Sequence, residues 1–108
     1  MLMTYTKKDG TDAAVRLKAM PHAPAITIGR GKEANVILDD EKCSRIHVAI
    51  RYWDDIFVIR DMKSSNGTYM NGEKIEVAKL SPGDVIRIGN TELTMGTDKL
   101  QTDVTVTS

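Results

Sequence analysis

The segment His47–Met62 has the sequence HVAIRYWDDIFVIRDM and contains two runs rich in β-branched and aromatic residues. The two runs are separated by Asp54 and Asp55, a pair of residues that favour a turn. Strand-forming runs of this length joined by two turn-forming residues are typical of a β-hairpin. The segment therefore predicts two adjacent antiparallel strands.

A similar pattern continues on both sides of this hairpin, and helical periodicity is almost absent. In AVRLKA, residues 14–19, the apolar Val15 and Leu17 alternate with charged residues, as in a half-buried strand. Turn signals follow at 81–84 (SPGD) and at 89–90 (GN). About nine short strands at such close spacing predict an all-β sandwich or barrel.

The two ends of the chain differ from this pattern. Residues 1–12 and 97–108 are polar, and both are predicted to be flexible tails, although VTVT at 104–107 is also compatible with an edge strand. The chain is therefore predicted to be a single domain, residues 1–108, whose folded core covers about 13–96.

Composition narrows the class of protein. The chain has 108 residues, with 15 basic and 15 acidic side chains and a formal net charge of +0, whereas a nucleic-acid-binding protein normally has a basic excess. No apolar run approaches the length of a membrane span, and the first residues do not resemble a secretory signal. A single cysteine, Cys43, excludes an internal disulfide. These features predict a soluble, cytoplasmic protein that is monomeric and binds neither nucleic acid nor membrane.

Catalytic and metal sites find little support in the sequence. Ser44 and His47 are three residues apart, but Ser44 lacks the glycine-flanked elbow that presents a nucleophilic serine. Cys43, His47 and His22 do not have the spacing of a zinc site. Lys32 follows a glycine, but no serine, threonine or helix comes after it, as a P-loop requires. We therefore predict no enzyme activity, no metal and no cofactor.

Two polar loops instead carry the chemistry of an anion site. Arg30 directly follows a strand that ends in Gly29, and arginine can form a bidentate, charge-assisted contact with phosphate. Ser44 is a small hydroxyl donor, and Arg45 beside it adds positive charge. Since function in β-sandwiches lies mostly in loops, these residues are candidates for phosphate binding.

A third polar loop is KSSNGTYMNG, residues 63–72. Ser65 can donate a further hydroxyl bond, whereas Asn66 has both a donor and an acceptor and suits a peptide backbone. Gly67 follows Asn66 and permits a tight turn. Thr68, the next residue, is assigned to the scaffold.

Four motifs taken together resemble one known family. IGR, SRIH, SSNGTYMNG and LSPGDVIRIG occur in this order and resemble the motifs of the forkhead-associated (FHA) domain, over most of the chain up to Met95. The resemblance implies a β-sandwich of two twisted antiparallel or mixed sheets with about eleven strands. It also implies ligand loops at one end of the sandwich, which bind phosphothreonine peptides.

The resemblance also implies a role for individual residues. The phosphate would be bound by Arg30, Ser44, Arg45 and Ser65, the last standing where the family often has threonine. The peptide would be bound by Asn66, Asn71 and Lys42, and Lys42 would favour an acidic residue three positions after the phosphothreonine. The loops would be braced by Gly29, His47 and Gly67, of which His47 does not touch the ligand. Gly72, like Gly29 and Gly67, would be a position that permits an unusual backbone conformation.

The predicted function is a non-catalytic module that recognises phosphothreonine in a partner protein, for signalling or assembly. One alternative is a phosphorylation-independent interaction module, which some family members are. A second is autoinhibition by a phosphorylated threonine in the chain's own tail, with Thr97, Thr102, Thr105 and Thr107 as candidates. A third, remote alternative is a small hydrolase that uses Ser44 and His47.

Overall fold

A computed structural model describes residues 1–97, which form eleven β-strands and no helix. The strands are β1 Leu2–Thr6, β2 Asp12–Arg16, β3 Ile26–Gly29, β4 Val36–Ile37, β5 Val48–Trp53, β6 Ile56–Asp61, β7 Thr68–Met70, β8 Glu73–Ile75, β9 Val77–Leu80, β10 Val85–Ile88 and β11 Thr91–Gly96. Within this part of the chain there is accordingly no helix that could cross a membrane.

The strands form two sheets. One has six strands in the order β2-β1-β11-β10-β7-β8, and the other has five in the order β4-β3-β5-β6-β9. All neighbours are antiparallel except the short pair β3 and β4. The prediction of a β-sandwich with two mixed or antiparallel sheets is confirmed.

The β5–β6 hairpin forms as the sequence predicts. Trp53 pairs with Ile56, so the loop has two residues, Asp54 and Asp55. Both have positive φ, 52° and 66°, as a type I′ turn requires. This turn matches the right-handed twist of the two strands and fixes their register.

The core lies between the two sheets. Alternate side chains of the five-stranded sheet, among them Ile28, Ile50 and Ile59, are buried together with Ile86 and Leu93 of the six-stranded sheet. Because side chains in a strand alternate between faces, the residues between them point to solvent.

The prediction that residues 1–12 form a loose tail is wrong. Strand β1 is an interior strand, paired with β2 on one side and β11 on the other. Met3 is 0% exposed and lies opposite both Val15 and Met95. The alternation of Met3 and Tyr5 with threonines supplies the buried face of this strand. Residues 98–108 of the other predicted tail, with VTVT and Thr102, Thr105 and Thr107, lie outside the described residues.

The segment 73–80, EKIEVAKL, contributes to both sheets. It divides at Glu76 into β8 of one sheet and β9 of the other. The Glu76 carbonyl accepts a hydrogen bond from the Asp61 backbone N–H, which holds the crossing point against the end of β6.

The strand directions bring the polar loops to one end of the sandwich. Strand β3 ends there at Gly29, β5 begins there at Val48, and β6 ends there at Asp61. The opposite end of the molecule contains the start of β1 and the end of β11, where Leu2 and Gly96 are paired. The β3–β4, β4–β5 and β6–β7 loops are therefore neighbours, although they are far apart in sequence.

Candidate ligand-binding site

Backbone and side-chain hydrogen bonds join the three loops. The Arg30 N–H of the β3–β4 loop donates to the Ser44 carbonyl of the β4–β5 loop at 2.9 Å. The Ser65 N–H of the β6–β7 loop donates to the Ser44 hydroxyl at 3.1 Å. Asn66 in the same loop donates its side-chain N–H to the Lys42 carbonyl at 2.8 Å. Ser44 is therefore the point at which all three loops meet.

Gly29 allows the first two loops to approach each other closely. A Cβ atom at Gly29 would lie 2.1 Å from the Arg45 carbonyl oxygen and 2.8 Å from that of Ser44. Both contacts are with backbone atoms, so a side chain could be accommodated only by moving the β4–β5 loop. Gly29 thus fixes the distance between Arg30 and Ser44.

Arg30 is exposed but held in place. Its Nε–H donates to the Cys43 carbonyl at 3.1 Å. Among residues 1–97 neither of its Nη atoms has a hydrogen-bond or ion-pair partner. One side of the guanidinium is therefore anchored to the β4–β5 loop, while the donors that form bidentate contacts with anions remain available.

His47 joins the loops from beneath and is 0% exposed. Its Nδ1 accepts a hydrogen bond from the Ser44 backbone N–H at 3.0 Å. Because Nδ1 accepts, the ring proton is on Nε2, which donates to the Gly67 carbonyl at 2.9 Å. The imidazole therefore links the β4–β5 loop to the β6–β7 loop without reaching the surface. It contacts the backbone N–H of Ser44 and not its hydroxyl, so the catalytic pair of the hydrolase alternative is not formed.

Asp61, which the sequence analysis missed, holds the β6–β7 loop. Its carboxylate accepts from the Ser64 hydroxyl at 2.5 Å, the Ser64 N–H at 3.0 Å and the Thr68 hydroxyl at 2.6 Å. Burial favours a higher pKa, but these hydrogen bonds outweigh it and lower the pKa of Asp61. The spacing Asp-x-x-Ser is the available signal, since such side chains often bond to backbone groups nearby in sequence.

Asp40 has the same role in the β4–β5 loop and was also missed. It is buried, and it accepts from the Lys42 N–H at 3.0 Å and from the Asn90 N–H and Thr91 hydroxyl, both at 2.7 Å. Burial again favours a higher pKa for Asp40, but the hydrogen bonds dominate and lower it. These bonds attach the β4–β5 loop to the β10–β11 turn, so the Asp40 carboxylate supports the scaffold of the site.

These lowered pKa values predict a loss of stability in acid. A carboxyl group whose pKa is lower in the folded than in the unfolded state stabilises the folded state. This contribution is fully present above the unfolded pKa, which is about 3.9 for aspartate. It is lost as the pH falls through the folded pKa. We expect Asp40→Asn to lower the free energy of unfolding by about 1–2 kcal/mol at pH 7. The difference from the unsubstituted chain should shrink at acid pH, because Asp40 is then protonated in both states.

Urea unfolding followed by circular dichroism across this pH range measures both effects. Asp12→Asn, at an exposed position on β2, is the matched control. A difference between Asp40→Asn and the unsubstituted chain that stays constant from pH 7 into acid would contradict the assignment.

Arg45 forms an ion pair with Glu33. Its Nη2 lies 2.5 Å from the Glu33 Oε2, and both side chains are at least half exposed. A backbone hydrogen bond and the contact with Arg45 lower the pKa of Glu33, so the carboxylate is charged at neutral pH. Arg45 therefore lies in the correct loop, but its guanidinium is occupied by a neighbouring acid.

Asn71 is not brought together with the other predicted residues. It follows β7 at the end of the sandwich opposite Ser65 and Asn66. Its side chain donates to the Asp84 carboxylate at 3.0 Å and accepts from the Val85 N–H at 2.9 Å. These contacts hold the β7–β8 turn, which includes Gly72, against the start of β10, so we leave Asn71 and Gly72 out of the candidate site.

Cys43 and the metal-binding alternatives can be placed as well. Cys43 is buried, and burial, together with the nearby Asp40 carboxylate, raises the pKa of its thiol to about 12. Its Sγ lies 3.6 Å from the Ile88 carbonyl oxygen. Within residues 1–97 no group of three or more His, Cys, Asp or Glu side chains is arranged to hold a metal ion.

Comparison with known proteins gives consistent results. A family model described as FHA domain matches residues 26–89. The oxoglutarate dehydrogenase inhibitor of Corynebacterium diphtheriae is 38% identical over 86 residues, which cover 80% of this chain and 59% of the relative. The FHA domain-containing protein FhaA of Mycobacterium tuberculosis is 39% identical over 66 residues, which cover 61% of this chain and 12% of the relative. The chain thus spans less than two thirds of the length of these curated relatives.

Solved structures show the same similarity. The FhaA FHA domain, solved in complex with the intracellular domain of Rv3910, has a TM-score of 0.73 and 33% identity and covers 85% of this chain and 97% of that one. A structure described for phosphothreonine-dependent FHA domain interactions has a TM-score of 0.74 and 31% identity, and covers 90% of this chain and 99% of that one.

Proposed function

The chain belongs to the FHA domain family, and on this premise we propose that it binds phosphothreonine in a partner protein through its β3–β4, β4–β5 and β6–β7 loops. One observation supports this proposal above the others. The anchored Arg30 guanidinium, with both Nη groups available, lies in the same loop cluster as the hydroxyls of Ser44 and Ser65. A phosphothreonine carries about −1.5 to −2 charges at neutral pH and three strong acceptor oxygens, which suit these donors.

Each group then has a separate role toward the phosphopeptide. Arg30 donates two parallel hydrogen bonds to the phosphate. The Ser44 hydroxyl oxygen already accepts from the Ser65 N–H, so its own proton is free to be donated to a phosphate oxygen. Asn66 holds the Lys42 carbonyl with its N–H, and its Oδ1 accepts from a peptide N–H. Charge-assisted bonds of about 1.5–3 kcal/mol each, less the cost of ordering the peptide, give roughly micromolar affinity.

The proposed domain is larger than the core that the sequence predicts. Because β1 is an interior strand and pairs with both β2 and β11, it belongs to the folded unit. We take the domain to extend over residues 2–96, with Lys42 exposed beside the binding loops and able to attract an acidic residue of the peptide.

Isothermal titration tests the proposed function. A degenerate peptide library with a fixed phosphothreonine first supplies a ligand, which is then titrated as the phosphothreonine, phosphoserine and unphosphorylated forms. We expect micromolar binding of the first form, binding of the second weaker by about tenfold because one methyl contact is lost, and no measurable binding of the third. Equal affinity for the phosphorylated and unphosphorylated peptides would contradict the proposal and favour a phosphorylation-independent module.

The Arg45–Glu33 ion pair leads to a second prediction. Glu33 competes with the ligand phosphate for Arg45 and places a negative charge beside the site. We expect Glu33→Gln to bind the phosphothreonine peptide about two- to threefold more tightly, because exposed ion pairs contribute only about 0–1 kcal/mol. Isothermal titration at low and high salt measures the gain, which should shrink at high salt. Glu73→Gln, an exposed acidic position in β8, is the matched control, and equal effects of both variants would show that only net charge matters.

A further inference from the structure

The outer face of the five-stranded sheet has a regular arrangement of side chains. Inward-pointing residues of β5, β6 and β9 are part of the core, so the alternate residues point outward. The register places Val58 opposite Arg51 on one side and Lys79 on the other. In the next row Arg60 lies opposite Ala49 and Val77. We call the surface formed by Arg51, Arg60 and Lys79 the basic face.

The three cations of the basic face lie close together without compensation. With strands about 4.8 Å apart and about 6.8 Å between alternate residues, their Cα atoms are roughly 8–10 Å from one another. This separation is about one Debye length at physiological salt, so the charges still repel each other. Among the described residues none of the three side chains has a hydrogen-bond or ion-pair partner. None of the outward-pointing residues of β3, β5, β6 and β9 is acidic.

The surroundings of the basic face also resemble those of an interface. Trp53 and Val77 at its borders are 63% and 46% exposed, and Ile56 lies opposite Trp53. Tryptophan and arginine are enriched in protein–protein interfaces and supply most of the residues that dominate binding energy. Acidic side chains are found at the hairpin tip, at Asp54 and Asp55, and mark where the basic surface ends.

We propose that the basic face binds an acidic segment of a partner protein, at a site distinct from the phosphothreonine loops. Charge complementarity is the basis: the whole chain has a formal net charge of +0, yet its positive charge is unpaired on this surface. A protein partner fits better than nucleic acid. Sheets that bind single-stranded RNA stack bases on aromatic residues within the sheet face, whereas here Val58 occupies the centre and the tryptophan lies at a corner.

Such a site goes beyond phosphopeptide recognition and does not depend on it. The basic face belongs to the sheet surface, and Arg30, Ser44 and Ser65 belong to the loops at the end of the sandwich. A partner could therefore be held at both sites, and each site would then raise the effective concentration of the other ligand group.

A titration followed by amide NMR spectra of the full 108-residue chain tests the proposal. The probe is an oligoglutamate peptide, compared with a glycine–serine peptide of equal length and with oligothymidylate of equal charge. We expect oligoglutamate to shift the amide signals of β5, β6 and β9 and to bind more tightly than either comparison ligand. The double variant Arg60→Glu/Lys79→Glu should weaken this binding by roughly fivefold or more.

Two further variants keep the test specific. Lys7→Glu/Lys8→Glu changes the net charge equally at the exposed β1–β2 turn and should alter binding less than about twofold. Arg30→Ala should leave the oligoglutamate shifts unchanged, which separates the basic face from the phosphate loops.

Four results would overturn the proposal. They are shifts confined to the loops around Arg30, equal weakening by the two charge-reversal variants, equal or tighter binding of oligothymidylate, and no shifts at millimolar peptide. Analytical ultracentrifugation of the chain alone tests whether a second copy of this chain covers the basic face. Self-association that is abolished by Arg60→Glu/Lys79→Glu would show this, and it would also contradict the proposal.

Discussion

The Arg30→Ala variant is expected to bind a phosphothreonine peptide at least about 100-fold more weakly than the unsubstituted chain. The substitution removes two charge-assisted hydrogen bonds to the phosphate, each contributing about 1.5–3 kcal/mol, and leaves the phosphate charge without its main partner. The structure explains why no other residue would substitute for it. Arg45 is paired with Glu33, and a lysine such as Lys42 lacks the planar, bidentate geometry of a guanidinium.

Two variants separate the shape of the arginine side chain from its charge. Arg30→Lys keeps the charge but loses the bidentate geometry, so it should lose about tenfold in affinity and lie between the other two proteins. Arg87→Ala, on the outer face of the six-stranded sheet, removes an equally exposed arginine and should bind as the unsubstituted chain does. Isothermal titration gives the affinities. Unchanged affinity in Arg30→Ala would exclude Arg30 from the site.

Folding should be affected little by Arg30→Ala. The side chain is exposed, and within residues 1–97 it makes one hydrogen bond, from Nε to the Cys43 carbonyl. The free energy of unfolding is therefore expected to change by no more than about 1 kcal/mol. A loss of binding with preserved stability distinguishes a ligand-contacting residue from one that acts through the fold.

The His47→Ala variant is expected to show the reverse pattern, with the main loss in stability. It leaves a cavity in a fully buried position and removes the partners of the Ser44 N–H and the Gly67 carbonyl. Each unsatisfied buried group costs about 1–3 kcal/mol, so the free energy of unfolding should fall by about 3–4 kcal/mol. Phosphopeptide affinity should also fall, because the β4–β5 and β6–β7 loops lose their common support.

Urea unfolding at neutral pH measures the loss in His47→Ala. His22→Ala, at the other histidine, which is exposed but has a positive φ of 68°, should lower stability by no more than about 1 kcal/mol. If His47→Ala does not fold, His47→Gln can be measured instead. Glutamine retains a hydrogen-bond donor and an acceptor but does not span the same distance as the imidazole, so this variant should be less stable than the unsubstituted chain and more stable than His47→Ala. A loss below about 1 kcal/mol in His47→Ala would show that the two loops do not depend on the imidazole.

Alternation and turn residues predicted most of the fold, and the departures have physical reasons. Strand β1 was missed because Thr4 and Thr6, on its more exposed side, make the segment read as polar although Met3 is part of the core. The crossing between sheets at Glu76 could have been predicted from the spacing of two apolar residues. Ile75 and Ala78 both pack toward the core but are three residues apart, which a continuous strand does not allow.

The candidate site could be predicted only where its residues belong to a recognisable motif. Arg30, Ser44 and Ser65 follow from the resemblance, and the structure brings their three loops together. Asp40 could not be found in this way, because two of its partners, Asn90 and Thr91, are about fifty residues away in sequence. Asn71 shows the converse: it is close to Asn66 in sequence, but strand β7 places it at the other end of the sandwich.

The pairing of Leu2 with Gly96 has a consequence for how such a unit can be attached to other proteins. Among residues 1–97 the first and last strands are hydrogen-bonded neighbours, and β1 begins and β11 ends at the end of the sandwich farthest from Arg30. Adjacent entry and exit points allow a domain to be inserted into another chain, or circularly permuted through a short linker, without disturbing its core. A label, a surface anchor or a second module attached at this end would therefore leave the binding loops facing away from the point of attachment.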